Sequence, residues 1–222
     1  ESDTRPRYVP VATLGDRLRA ADLALVCSVP LVLGLVALLP LATRRSLVFD
    51  YTAPTVFTAV TSAFVHLTPG HLVVNVGLYA LVAPVTLVLA VAGERRRRFY
   101  VAFVTFVCVF PPVLSYLNLA IPRAAVGVGF SGVVMAFAGY LPLALAEYLD
   151  DRFGGPQGNI PMANPVARVL VFAVPFVAFP ATPGRDTGVL NLYVHLLGYV
   201  LGFLVPFVTA VTTRFVARRV GS

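Results

Sequence analysis

Long apolar runs follow one another along this chain and leave few folds open to it. A bilayer core about 30 Å thick takes roughly 20 apolar residues of helix to cross. Six runs approach or exceed that measure, at 22–42, 70–92, 99–121, 131–149, 166–183 and 189–213. The fifth is short and contains Pro175 and Pro180. Composition points the same way: 58% of residues are hydrophobic and 12% charged, with a mean hydropathy of +0.85. A soluble domain carries about 25% charged residues. Too little polar surface is available to cover such an interior in water. The expectation is an all-α polytopic membrane protein with six transmembrane helices. The first run is too long for the apolar core of a signal peptide and reads as a retained helix. No long linker and no internal repeat divides the sequence, which predicts one membrane domain over 1–222 with a short cytoplasmic N-terminal segment of about 1–21.

All 17 basic residues are arginine, and the net charge is +7. Their distribution fits membrane orientation rather than nucleic-acid binding, because they cluster between apolar spans. With the N-terminus inside, the cytoplasmic segments hold Arg5, Arg7, Arg17, Arg19, Arg95–Arg98, Arg152, Arg168, Arg214, Arg218 and Arg219. The outer segments hold only Arg44, Arg45, Arg123 and Arg185. This asymmetry predicts both termini in the cytoplasm. Arg44 and Arg45 oppose it and mark either a misfit or an amphipathic turn at the interface. The first outer loop, about 43–69, mixes apolar and small polar residues and reads as a segment lying in the interface. Cys27 and Cys108 fall inside apolar runs, which fits small packed side chains and neither a disulfide framework nor a metal site.

Ionisable groups inside a span are costly and are therefore functional suspects. The carboxylates Asp22, Asp50, Glu94, Glu147, Asp150, Asp151 and Asp186 all fall at span ends or in loops. That argues against an ion-coupled transporter. His71 and Asn75 occupy the first turns of the second span, Ser131 opens the fourth, and His195 lies near the start of the sixth. Spans two, four and six run in the same direction, so three distant segments bring polar groups to one depth on the outer side. Singly, each has an ordinary reading: Ser131 caps a helix, Asn75 and His195 hydrogen-bond neighbouring helices. Jointly, they form a candidate site.

Three motifs carry chemistry. In Gly127-Val128-Gly129-Phe130-Ser131-Gly132 a serine sits between glycines at a helix start, where free N–H groups and a partial positive charge can stabilise an oxyanion. In His66-Leu67-Thr68-Pro69-Gly70-His71-Leu72-Val73-Val74-Asn75, His71 and Asn75 are four apart and share a helix face. In His195-Leu196-Leu197-Gly198-Tyr199-Val200-Leu201-Gly202, positions 195, 198 and 202 share a face. Gly132, Ala136 and Gly139 make a matching stripe on span four. Two small faces permit the close helix approach that a serine–histidine hydrogen bond requires.

These motifs, in this order on these spans, resemble those of the rhomboid intramembrane serine proteases, over about 66–202. The resemblance implies a rhomboid-like helical bundle that cleaves transmembrane protein substrates near the outer face, without cofactor or metal. It implies Ser131 as nucleophile and His195 as general base, a dyad without a carboxylate. It implies His71, Asn75 and the Ser131 backbone N–H as the oxyanion hole. Gly129 matches the first glycine of the serine motif, Gly198 and Gly202 match packing glycines, and His66 matches a structural histidine. It further implies substrate passage between spans two and five. The short fifth span, with Phe172, Phe176, Phe179 and two prolines that weaken its backbone hydrogen bonding, reads either as a gate on that passage or as a kinked lipid-facing helix. The sequence departs from the pattern in the first loop, where Phe57-Thr58 replace a tryptophan–arginine pair. It departs again at Met135, where an aromatic often packs on the histidine. An all-arginine basic set fits a GC-rich prokaryotic genome, hence a plasma-membrane location. The competing readings are a non-catalytic binder of membrane clients, a channel or transporter, and a histidine metal site. The last is disfavoured by the five-residue spacing of His66 and His71 and the lack of a thiolate or carboxylate partner.

Overall fold

The structure, a computed structural model, describes residues 17–153 and 187–220. The expected fifth span, with Pro175, Pro180 and the three gate phenylalanines, lies outside the described residues. So do Arg5, Arg7, Arg168 and Arg185. Among the described residues five helical segments are long and apolar enough to cross a membrane: Ala20–Ala37, Pro69–Ala92, Arg96–Ala120, Ser131–Leu149 and Tyr193–Thr212. The chain is an all-α polytopic membrane protein.

Helix α1 (Ala20–Ala37) is shorter than the expected 22–42, because Leu38 and Leu39 form a turn ahead of Pro40. The first outer loop is built of short regular elements. It holds the short helix α2 (Leu41–Ser46), strand β1 (Phe49–Asp50), helix α3 (Val56–Thr61) and a 3-10 turn, Ser62–Phe64. Arg44 and Arg45 fall in the last turn of α2, where cations complement the helix dipole. Thr55 caps α3 by accepting from the Thr58 N–H at 3.1 Å.

Helix α4 (Pro69–Ala92) starts on a Thr-Pro pair: Thr68 Oγ1 accepts from the His71 N–H, and Pro69 fills a first-turn position that needs no donor. The chain turns at Glu94, whose φ is 56°. Helix α5 (Arg96–Val104) widens into a π-helical segment, Thr105–Val109, before α6 (Phe110–Leu117). Pro111 and Pro112 cannot donate to the carbonyls of Val107 and Cys108, which accounts for the widening. A 3-10 turn, Asn118–Ala120, leads to strand β2 (Val126–Gly127), and then come α7 (Ser131–Phe153) and α8 (Thr187–Val220).

Helix α7 is the centre of the bundle. Its apolar, membrane-spanning stretch is 78% buried, against 22–33% for those of the other four helical segments. It packs between α4 and α8, with α5 and α6 also against it. Its core face meets an aromatic cluster in which Phe137 makes edge or tilted contacts with Tyr79, Phe103 and Phe106. The remaining helices turn apolar side chains such as Leu31, Leu35, Val73, Leu81 and Val101 outward, as lipid solvation allows. Cys27 and Cys108 are free and exposed on this outer surface, not packed inside as their apolar surroundings in sequence suggested. Lipid and protein interior solvate a thiol alike, so an apolar run does not separate the two positions.

One end of the bundle is tied by ions. Asp22, fully buried, accepts from the Arg19 N–H at 2.7 Å and from Tyr100 Oη at 2.5 Å, with Arg96 Nε 3.3 Å away. Arg98 pairs with Glu147 of α7. The opposite end carries β1 and β2, antiparallel, with Phe49 opposite Gly127 and Asp50 opposite Val126. That pairing fastens the first loop to the segment leading into Ser131.

Candidate active site

The site end is where α4, α7 and α8 all begin. Helix α7 starts at Ser131, and its first intrahelical bonds run from the Val133 and Val134 N–H groups to the Phe130 carbonyl. The N–H groups of Ser131 and Gly132 precede those bonds. Gly129 makes the preceding turn with φ 105°, a conformation that L side chains rarely adopt. A Cβ placed there would lie 2.5 Å from His71 Cε1 and 3.6 Å from Asn75 Nδ2. The His71 ring is therefore packed on the loop that carries Ser131.

The position of α8 follows from glycines. Gly198 faces the Gly132 carbonyl, Gly202 faces Ala136, and Gly139 faces the Tyr199 carbonyl, each too close to admit a Cβ. Both helices advance in the same direction through these contacts, so they are parallel. Carbonyls lean toward a helix C-terminus, so the Gly132–Gly198 offset of 66 overstates the register and the Gly139–Tyr199 offset of 60 understates it. Their mean of 63 puts Ser131 level with Val194, one residue before His195. Consistently, a Cβ on Gly132 would lie 3.2 Å from Val194 Cγ1. His195 is half-buried and within electrostatic reach of His71.

His66, in the loop before α4, is 1% exposed and sits behind this arrangement. Its Nε2 faces Asn75 Nδ2 at 3.0 Å and the Phe130 N–H at 3.5 Å, and its ring meets that of His71 edge-on at 4.9 Å between centroids. Both neighbours of Nε2 are donors, so Nε2 accepts and the ring proton resides on Nδ1. Burial, reinforced by the nearby His71, pushes its pKa down to about 4, so His66 is neutral at pH 7. Asn75 also donates to the His71 carbonyl at 3.1 Å. Its amide thus faces His66 and its own helix; the four-residue spacing to His71 sets the shared helix face but not this direction. Met135 is buried in the core.

Two contributions had no signal in the motifs. Arg44 Nη1 donates to the His66 carbonyl at 2.5 Å, and its Nε donates to the Leu39 carbonyl at 3.2 Å. The arginine that opposed the charge asymmetry is a tie between the first loop and the site. Phe130, fully buried between Gly129 and Ser131, packs against Phe64 and Tyr79 and anchors the serine loop from below. Among the described residues no cluster of three metal-ligating side chains occurs.

These features define a polytopic helical membrane protein with a polar site set inside one end of its bundle, a serine at a helix start beside histidine-bearing turns of two other helices. The rhomboid domain family matches residues 53–212, and the chain belongs to that family. No curated protein and no solved structure matches it.

Proposed function

We propose that this protein is an intramembrane serine endopeptidase working through a Ser131–His195 dyad. The observation that carries the reading is the glycine-set register of α7 and α8, which brings His195 within one residue of the level of Ser131 on the adjacent helix. Ser131 Oγ attacks the substrate carbonyl while His195 accepts its proton and later protonates the leaving amine. The oxyanion is held by the Ser131 N–H and by His71, whose ring lies against the serine loop. Asn75 joins this set once its N–H turns from the His71 carbonyl. Apo sites commonly tighten only with substrate. Gly129, Gly132, Gly198 and Gly202 act through packing, and His66 holds Asn75 and the Phe130 N–H. The substrates are transmembrane proteins whose helices unwind near the outer face, and no cofactor takes part. The proposal includes both termini in the cytoplasm of a prokaryotic cell and a single domain over 1–222.

The test is a matched pair, wild type and Ser131→Ala, reconstituted with a generic transmembrane substrate and a fluorophosphonate probe. Cleavage and labelling by wild type, both lost in Ser131→Ala, are expected. A folded wild type that neither cleaves nor labels transfers the site to client binding without proteolysis.

A further inference from the structure

Several arginines at the ends of this bundle are committed to clear partners. Arg44 donates to backbone carbonyls, Arg96 faces Asp22, and Arg98 faces Glu147. Arg123 is held differently. It lies three residues beyond the Arg96–Ala120 membrane segment, at the end of the bundle where Ser131 sits. Its Nη1 donates to the carbonyls of Asn118 at 3.1 Å and Ile121 at 3.0 Å. Its Cζ stands 3.6 Å from the centroid of the Tyr51 ring. A guanidinium has five N–H donors, and these contacts occupy one nitrogen. Among the described residues no carboxylate lies within ion-pair distance of it. Asp50, the acid nearest Tyr51 in sequence, is held instead by the Thr52 N–H at 2.8 Å and Thr52 Oγ1 at 2.7 Å.

The cation is thus fixed in orientation, and no carboxylate among the described residues neutralises it. It borders a cavity of about 600 Å³ lined by Tyr51, Thr52, Pro54, Ile121, Pro122 and Arg123, among others. The depth is that of lipid headgroups, one short loop beyond the end of a membrane helix. Planar, pre-oriented guanidinium groups bind phosphate oxygens through two parallel N–H bonds. Ile121 and the prolines offer apolar walls to the glycerol and first acyl carbons.

We propose that Arg123 and Tyr51 form a binding site for the phosphate of a phospholipid headgroup, seated beside the loop that leads through β2 to Ser131. The site is independent of proteolysis. The test is native mass spectrometry of the detergent-purified protein titrated with dioleoylphosphatidylglycerol. Arg123→Gln is expected to weaken retention of one lipid about tenfold, the loss of a charge-assisted pair of hydrogen bonds. Arg123→Lys is expected to fall between, and Tyr51→Leu to weaken retention by removing the ring under the cation. Arg45→Gln removes the same charge from an exposed position on the same end and is expected to change nothing. Equal losses in Arg45→Gln and Arg123→Gln, or none in Arg123→Gln, overturn the site. Inorganic phosphate at matched concentration is expected to leave the lipid bound; its displacement of the lipid overturns the lipid assignment in favour of free phosphate. Thermal melting of each variant separates loss of binding from loss of fold.

Discussion

Gly129 concentrates several constraints at a single residue. Its φ of 105° and the 2.5 Å that would separate an added Cβ from His71 Cε1 leave no room for a side chain. Gly129→Ala is expected to cost about 1–3 kcal/mol of stability from backbone strain alone and to displace His71 from the serine loop. A lowered melting temperature and cleavage reduced more than tenfold are the expected readings. His66 is the second residue with a definite consequence. Its folded pKa, about 4, lies below the ordinary histidine value, so between those two pH values the unfolded chain binds more protons. Stability contributed by neutral His66 is present above about pH 6.5 and is lost as pH falls toward 4. His66→Gln retains an acceptor for Asn75 and the Phe130 N–H but does not titrate. Its melting temperature is expected to fall less than that of wild type between pH 7 and pH 5, and equal slopes would sink the assignment. Histidine type and spacing were legible at these positions, but the direction of Asn75 was not. Spacing says which residues share a face; it does not say which of several acceptors an amide will choose.

Among the helices, the α7–α8 contact decides whether Ser131 and His195 meet. Gly198→Ala and Gly202→Ala each drive a methyl into the backbone of α7. Cleavage is expected to fall by an order of magnitude or more, with partial loss of stability. Gly34→Ala and Gly77→Ala are the controls, because nothing lies within 4 Å of a Cβ at either position. Both are expected to be neutral or to stabilise by up to about 1 kcal/mol. The small stripes on spans four and six were readable from their spacing, since only small residues let helix backbones touch. The tie from α2 was not readable. Arg44→Ala removes the donor to the His66 carbonyl and is expected to reduce cleavage severalfold, with Arg44→Lys restoring part of it. If Arg44→Ala cleaves at the wild-type rate, the tie is passive.

Among the described residues the bundle is fastened at both ends around the buried α7. At the end remote from the site, Arg98 and Glu147 join α5 to α7 with side chains 13% and 2% exposed. Removing one member of such a pair strands the other charge. Glu147→Gln is expected to lower stability by about 2–4 kcal/mol, measured by denaturation in detergent, while leaving the geometry around Ser131 unaltered. At the site end, the β1–β2 pairing and the Arg44 tie join the first loop to the serine and histidine segments, so that loop is part of the bundle and not a cover over it.

The order of amino acids was enough to establish the membrane class, since apolar runs of this length have no other solvent. It was also enough for the limits of most spans, because charges and prolines cannot be moved without cost in lipid. The candidate chemistry was legible too, because serine, histidine and asparagine were the polar groups left near the starts of three spans. The central helix could be recognised only from packing. In sequence α7 is no more apolar than its neighbours, and hydropathy does not distinguish lipid from protein as the surrounding medium. Packing likewise separated Arg44 from Arg123, both read from sequence as outer charges. One is committed to the His66 carbonyl; the other stands over Tyr51 with donors to spare. The contacts that set the two roles apart, His66 for Arg44 and Tyr51 for Arg123, lie tens of residues away along the chain and are supplied only by the fold.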